Sequence, residues 1–213
     1  MPEPSMAHPW ISMWVRPRET IRAIVKKNPR QSFYLLSAIY GFPLLLQMAQ
    51  NFSLGEVLSF LPILLGALIL SLFIGMLVIT VISGLLSWTG GWIGGKASFL
   101  QVRAAVAWAN VPNTVNILMW LLMVATFGNQ VFTHSFAETP FIGYQLIVVF
   151  FAFLVQVMVA VWGFIIGLKA LGEVQGFSAW KALLNVLIPF FMVMIGIWIL
   201  MWLCWIVMGV ITR

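Results

Sequence analysis

Between Glu56 and Lys96 the chain carries no charged side chain at all. A helix needs only about 20 apolar residues to cross a hydrocarbon core of about 30 Å, so this stretch reads as a membrane span with residues to spare. Its most apolar part, 57–87, is joined by comparable runs at 33–52, 104–127, 144–168 and 182–211, which makes five spans. With 62% hydrophobic and 8% charged residues over 213 positions, there is too little polar surface to cover a water-soluble globule. The fold class that follows is an all-α membrane protein, a bundle of five transmembrane helices with a short N-terminal amphipathic interfacial helix. The second run is too long to fit the core at ordinary tilt, so one of its ends is expected to emerge.

Lysine and arginine are retained on the cytoplasmic side of membrane proteins, and their distribution sets orientation. Arg16, Arg18, Arg22, Lys26, Lys27 and Arg30 precede the first span; Lys96 and Arg103 separate the second from the third, and Lys169 and Lys181 the fourth from the fifth. Only Arg213 falls on the other side. The expected topology has a cytoplasmic N-terminus and an external C-terminus, and splitting the second run into a hairpin would destroy the pattern. Residues 1–32 then form a cytoplasmic segment and 33–213 the five-span domain. The opening MPEPSMAHPW lacks the basic, apolar and cleavage regions of a signal peptide, so the spans themselves are expected to direct insertion.

In RPRETIRAIVKKNP, Pro17 suits a helix start and Pro29 follows its end. Ile21, Ile24 and Val25 share one face, with Arg18, Arg22 and Lys26 opposite. Such a helix is expected to lie on the cytoplasmic leaflet, its apolar side among headgroups and its cations near anionic lipid. Trp10 and Trp14 suit the same interface.

The glycines of GGWIGGKASF, residues 90–99, are expected to end the long second helix and turn the chain at the cytoplasmic surface. This corner has an echo. Phe99 is followed four residues later by Arg103, and Phe177 by Lys181; each following span then carries an asparagine and a proline, Asn110 with Pro112 and Asn185 with Pro189. A duplication and convergent loop chemistry both account for the pattern. Lys96, Arg103, Lys169 and Lys181 form the expected cytoplasmic contact surface.

On a continuous helix, Asn110, Asn113 and Asn116 fall within one 120° sector. With Gln156 and Asn185 they make the candidate polar pathway, although asparagine within a membrane also serves as hydrogen-bonding glue between helices. Pro112 and Pro189 each free the carbonyl four residues earlier, on Trp108 and Asn185, and are expected to bend their spans. Lys169 and Glu173 are spaced to pair. Gly163 and Gly167 show the GxxxG spacing of helix dimers.

Chemistry is sparse. No hydrolase or phosphate-loop motif occurs, His8 and His134 stand apart from any acidic cluster, and no acid lies at membrane depth. No catalytic, metal-binding or cofactor-binding residue is assigned, and no cofactor is expected. The formal charge of +6 comes without the polar surface of a nucleic-acid binder, so no nucleic acid is expected as a partner. Cys204, inside the last run, has no other cysteine with which to pair.

WVRPRETIRAI, then five spans, GGKASF leading to AVAWANVP, and LKALGEVQGFSAWKAL before the last span together resemble the bacterial branch of the YIP (Ypt/Rab-interacting protein) membrane proteins. The resemblance covers nearly the whole chain from Trp14 onward. It implies a five-span bundle with a cytoplasmic N-terminus in a bacterial inner membrane. Eukaryotic relatives associate with prenylated Rab GTPases, but the D-L-Y-G-P motif is absent here. IYGFP, with Tyr40, Gly41 and Pro43, is one residue longer, so Rab binding transfers to no residue.

The function expected is that of a non-enzymatic membrane protein organising membrane or protein partners. Those partners are anionic headgroups, other membrane proteins or a second copy of the chain. The alternative is a small permease or channel for an anion or polar solute, using Arg103 and the amide strip.

Overall fold

The computed structural model describes residues 8–211, and among them there are eight α-helices and no strand. In chain order they are α1 (Pro9–Val15), α2 (Pro17–Lys27), α3 (Phe33–Asn51), α4 (Phe60–Trp92), α5 (Phe99–Trp108), α6 (Asn113–Phe127), α7 (Tyr144–Gln175) and α8 (Ala179–Ile211). Five segments are long and apolar enough to cross a membrane, so the all-α, five-span reading holds. Arg213, the lone far-side cation, lies outside the described residues.

α3 and α4 form the tightest pairing, and small residues are the reason. A β-carbon on Gly41 would run into the Ser71 carbonyl, and one on Gly75 into the Ser37 carbonyl. Each helix therefore contributes a serine and a glycine four residues apart, letting the backbones touch where lipid supplies no hydrophobic drive between helices.

α4 is 33 residues long, about 50 Å at 1.5 Å per residue. It outlasts the expected boundary at Ser87, running through Gly90 and Gly91 to Trp92, so those two glycines do not end it. The stop comes at Gly94, in the left-handed region at φ +84°, with the Gly95 N–H closing onto the Gly90 carbonyl at 2.8 Å.

The third span corrects the expectation of one bent helix over 104–127. The run is divided between two helices, α5 and α6, joined by a turn at 109–112, and the apolar segment long enough to cross starts only at Asn113 and extends to Phe132. Pro112 cannot donate to the Trp108 carbonyl and crowds it, and it disfavours helical geometry at the residue before it. Around it the chain uses tighter bonds, Asn110 N–H to Ala107 O at 3.1 Å and Asn113 N–H to Asn110 O at 3.0 Å. The break also ends the shared sector of Asn110, Asn113 and Asn116. α5 begins at Phe99 behind a capping box of Ser98 and Gln101. In α8, by contrast, Pro189 lies within a continuous helix, beyond which nearly every described side chain faces outward.

At the end remote from most cations, residues 128–138 fold into a cap. Val131 and Phe132 are fully buried, and Phe132 stacks parallel to Trp120 with ring centroids 6.1 Å apart. Gln50 donates to the Val131 carbonyl at 3.1 Å and Asn129 to the Gly55 carbonyl at 2.7 Å, fastening this loop to the α3–α4 connection.

The N-terminal helix departs from its expected position. Ile21 and Ile24 do not face headgroups; they are buried in one cluster with Ala104, Ala105, Trp108 and Ala170. Burying two isoleucines from water is worth roughly 3–6 kcal/mol, and the bundle offers α2 a packed surface for that burial. α1, whose helical form has no strong sequence signal, inserts Met13 into the same cluster and sets Trp10 5.6 Å from Trp108. Its outward face is Ile11 and Val15.

Candidate functional site at the basic end

The two corners at the basic end are tied together by Gln175, the last residue of α7. Its side chain is 2% exposed, donates to the Leu86 carbonyl at 3.3 Å and accepts from the Ala97 N–H at 3.3 Å. Its own carbonyl accepts from the Lys96 N–H at 3.4 Å. Asn185, fully buried in α8, donates to the same Leu86 carbonyl at 3.1 Å. Thr89 stands 2.9 Å from Asn185 Oδ1 and 2.8 Å from the Leu85 carbonyl, its single hydroxyl proton serving one of the two at a time.

The glycines make room for this knot. A β-carbon on Gly90 would overlap the Gln175 amide and approach Asn185, and one on Gly95 would overlap the Gln175 amide oxygen. Sequence reasoning missed Gln175, because one glutamine at a helix end carries no signal. The glycines at 90 and 95 were the visible trace of it.

The corners share a second device. The Arg103 guanidinium lies 4.2 Å from the Phe33 ring centroid and 5.7 Å from that of Phe99, and the Lys181 ammonium lies 4.6 Å from that of Phe177. The recurring four-residue spacing is therefore a cation set over a ring, worth about 0.5–1 kcal/mol at an exposed site. The capping serines do not share that register. Ser98 precedes Arg103 by five residues, whereas Ser178, which accepts from the Lys181 N–H at 3.2 Å, precedes Lys181 by three.

Glu173 joins α2 to this end. It pairs with Arg22 at 2.6 Å and Arg18 at 3.8 Å, not with Lys169 as its spacing implied. Hydrogen bonding to Glu173, then its charge, raises the Arg22 pKa further above its ordinary value. Lys96, Lys169 and Lys181 are exposed. Lys26 is exposed on the outer side of α2, and Trp14 is half-buried beside α1's outward face.

The amide strip does not assemble. Asn110 folds back to the Val106 carbonyl at 2.8 Å, and Asn113 donates to Asn110 Oδ1 at 3.1 Å. These two line a cleft of about 350 Å³ at the break of the third span. Asn116 has a buried, unpartnered Oδ1 elsewhere, Gln156 lies in a smaller hollow with Gln47 and Gln50, and Asn185 belongs to the knot. Gly163 and Gly167 are not an outward dimer face. β-Carbons there would sit 3.6 Å from the Ala109 carbonyl oxygen and 3.5 Å from the Ala109 methyl.

Five apolar spans, a basic end locked by a buried amide knot and a capped opposite end define a multi-pass, all-helical integral membrane protein. The family model described as the Yip1 domain matches residues 11–211, and the chain belongs to that family. No curated protein and no solved structure matches it.

Proposed function

We propose that this Yip1-family protein is a non-enzymatic organiser of membrane and protein partners. In this reading it belongs to the bacterial branch of the family and sits in the inner membrane with its basic end in the cytoplasm. Lys96, Arg103, Lys169 and Lys181 form the contact surface for protein partners, and outward cations of the N-terminal helices meet anionic headgroups. The observation that carries the reading is the Gln175 knot. It couples the corner after α4 to the corner before α8, holding Lys96 and Lys181 on one surface. The buried cap at Val131 and Phe132 fits a closed bundle better than an open pore.

The test is chemical cross-linking in native membranes followed by purification of the full chain. Partners recovered with the wild type are expected to be lost from the Lys96→Glu, Lys181→Glu double variant at equal expression. Unchanged recovery, together with solute flux in liposomes that falls in the Asn110→Ala, Asn113→Ala variant, would instead support the permease reading, which the cleft at those two asparagines favours.

A further inference from the structure

We propose that the cleft at the break of the third span binds a neutral lipid with a single hydrocarbon chain, held through a hydroxyl headgroup. Ala109, Asn110 and Pro112, in the non-helical stretch just before the apolar segment Asn113–Phe132, border this space. The cleft holds about 350 Å³, within the ~300–1,000 Å³ range of ligand sites. Its wall is mainly apolar, with Gly163 and Gly167 of α7 among the lining residues.

Three polar side chains line it: Tyr40, Asn110 and Asn113. Asn110 uses its amide on the Val106 carbonyl and accepts from Asn113. Among the described residues the Tyr40 hydroxyl and Asn113 Oδ1 have no hydrogen-bond partner. Neither is a fully buried atom, so both look into accessible space. Together they offer a donor and an acceptor, the complement of one hydroxyl group, which accepts from Tyr40 and donates to Asn113. No cation or acid lines the cleft, so a charged headgroup would stand there without a counter-ion. Phe164 and Ala160 of the lining are exposed where α7 faces lipid, which gives a chain its way in from the bilayer.

The test uses the full chain in detergent micelles and a diazirine-bearing long-chain alcohol as probe, with the chain-matched alkane as control. The alcohol is expected to label residues 106–113 or 159–168 in preference to the alkane, and a long-chain carboxylate should not compete. Tyr40→Phe and Asn113→Leu should each lower that labelling about fivefold to tenfold, the scale of one neutral hydrogen bond. Tyr40→Phe removes a single oxygen and keeps the experiment decisive if Asn113→Leu folds poorly. Equal labelling by alkane and alcohol, or labelling indifferent to Tyr40→Phe, would overturn the proposal.

Discussion

The side-chain amide of Gln175 occupies the space that a β-carbon on Gly90 would need. One residue is an apparent breaker in an apolar helix and the other an ordinary polar residue 85 positions later, yet each explains the other. Glycine at 90 lets α4 carry on as a helix while the end of α7 presses an amide against its Leu86 carbonyl.

Gly90→Ala should therefore push the Gln175 amide off the Leu86 carbonyl. A cost of about 1–3 kcal/mol is expected, the penalty for buried polar groups left unpaired. In a Gln175→Ala background the same change should cost well under half as much. Unfolding by SDS titration of the purified protein in mixed micelles reads both, and the double-mutant cycle isolates the coupling.

The α3–α4 crossing makes a sharper contrast. Gly75→Ala drives a methyl into the Ser37 carbonyl, which belongs to a helix backbone and cannot step aside. A loss of about 3 kcal/mol or more is expected from overpacking. Gly84→Ala, in the same helix with nothing nearby, should change stability by no more than about 0.5 kcal/mol in the destabilising direction. The same titration separates them.

α2 is held by apolar burial more than by its ion pairs. Arg22 is largely exposed, and solvent screens its attraction to Glu173. Glu173→Gln should leave α2 docked, whereas Ile21→Asp, which places a carboxylate in a fully buried position, should release it. Limited trypsin digestion checks this. Cleavage within residues 16–30 should accelerate strongly for Ile21→Asp and little for Glu173→Gln.

The spans were legible because twenty uncharged apolar residues leave a chain few places to go, and the asymmetry of Lys and Arg was legible because it needs no contacts. The interface of α2 was misread. An amphipathic helix looks alike whether its stripe of Ile21 and Ile24 meets lipid or a groove walled by Ala104 and Ala105. The break at 109–112 lay beyond periodicity for a similar reason. Proline in a membrane helix is either carried within it or interrupts it, as Pro189 and Pro112 show, and the surrounding packing decides which. Gln175 was invisible since its value comes entirely from partners far away in sequence.

Sidedness has its own check. Cys204 is free and exposed, so it is first replaced by serine. Single cysteines at Lys96 and at Ile142, both exposed, are then labelled with a membrane-impermeant maleimide in intact cells. Position 142 should react and position 96 should react only after lysis.

In the proposed function the basic end, not the capped end or the interior, is the working surface. A photoreactive amino acid placed at position 96, 181 or 142 of the full chain, activated in living cells, tests it most directly. Adducts to proteins are predicted from 96 and 181 and not from 142, and the adduct pattern at 96 should collapse when Gln175→Ala loosens the two corners. Adducts confined to 142, or a pattern at 96 indifferent to Gln175→Ala, would rule out the basic end as that surface.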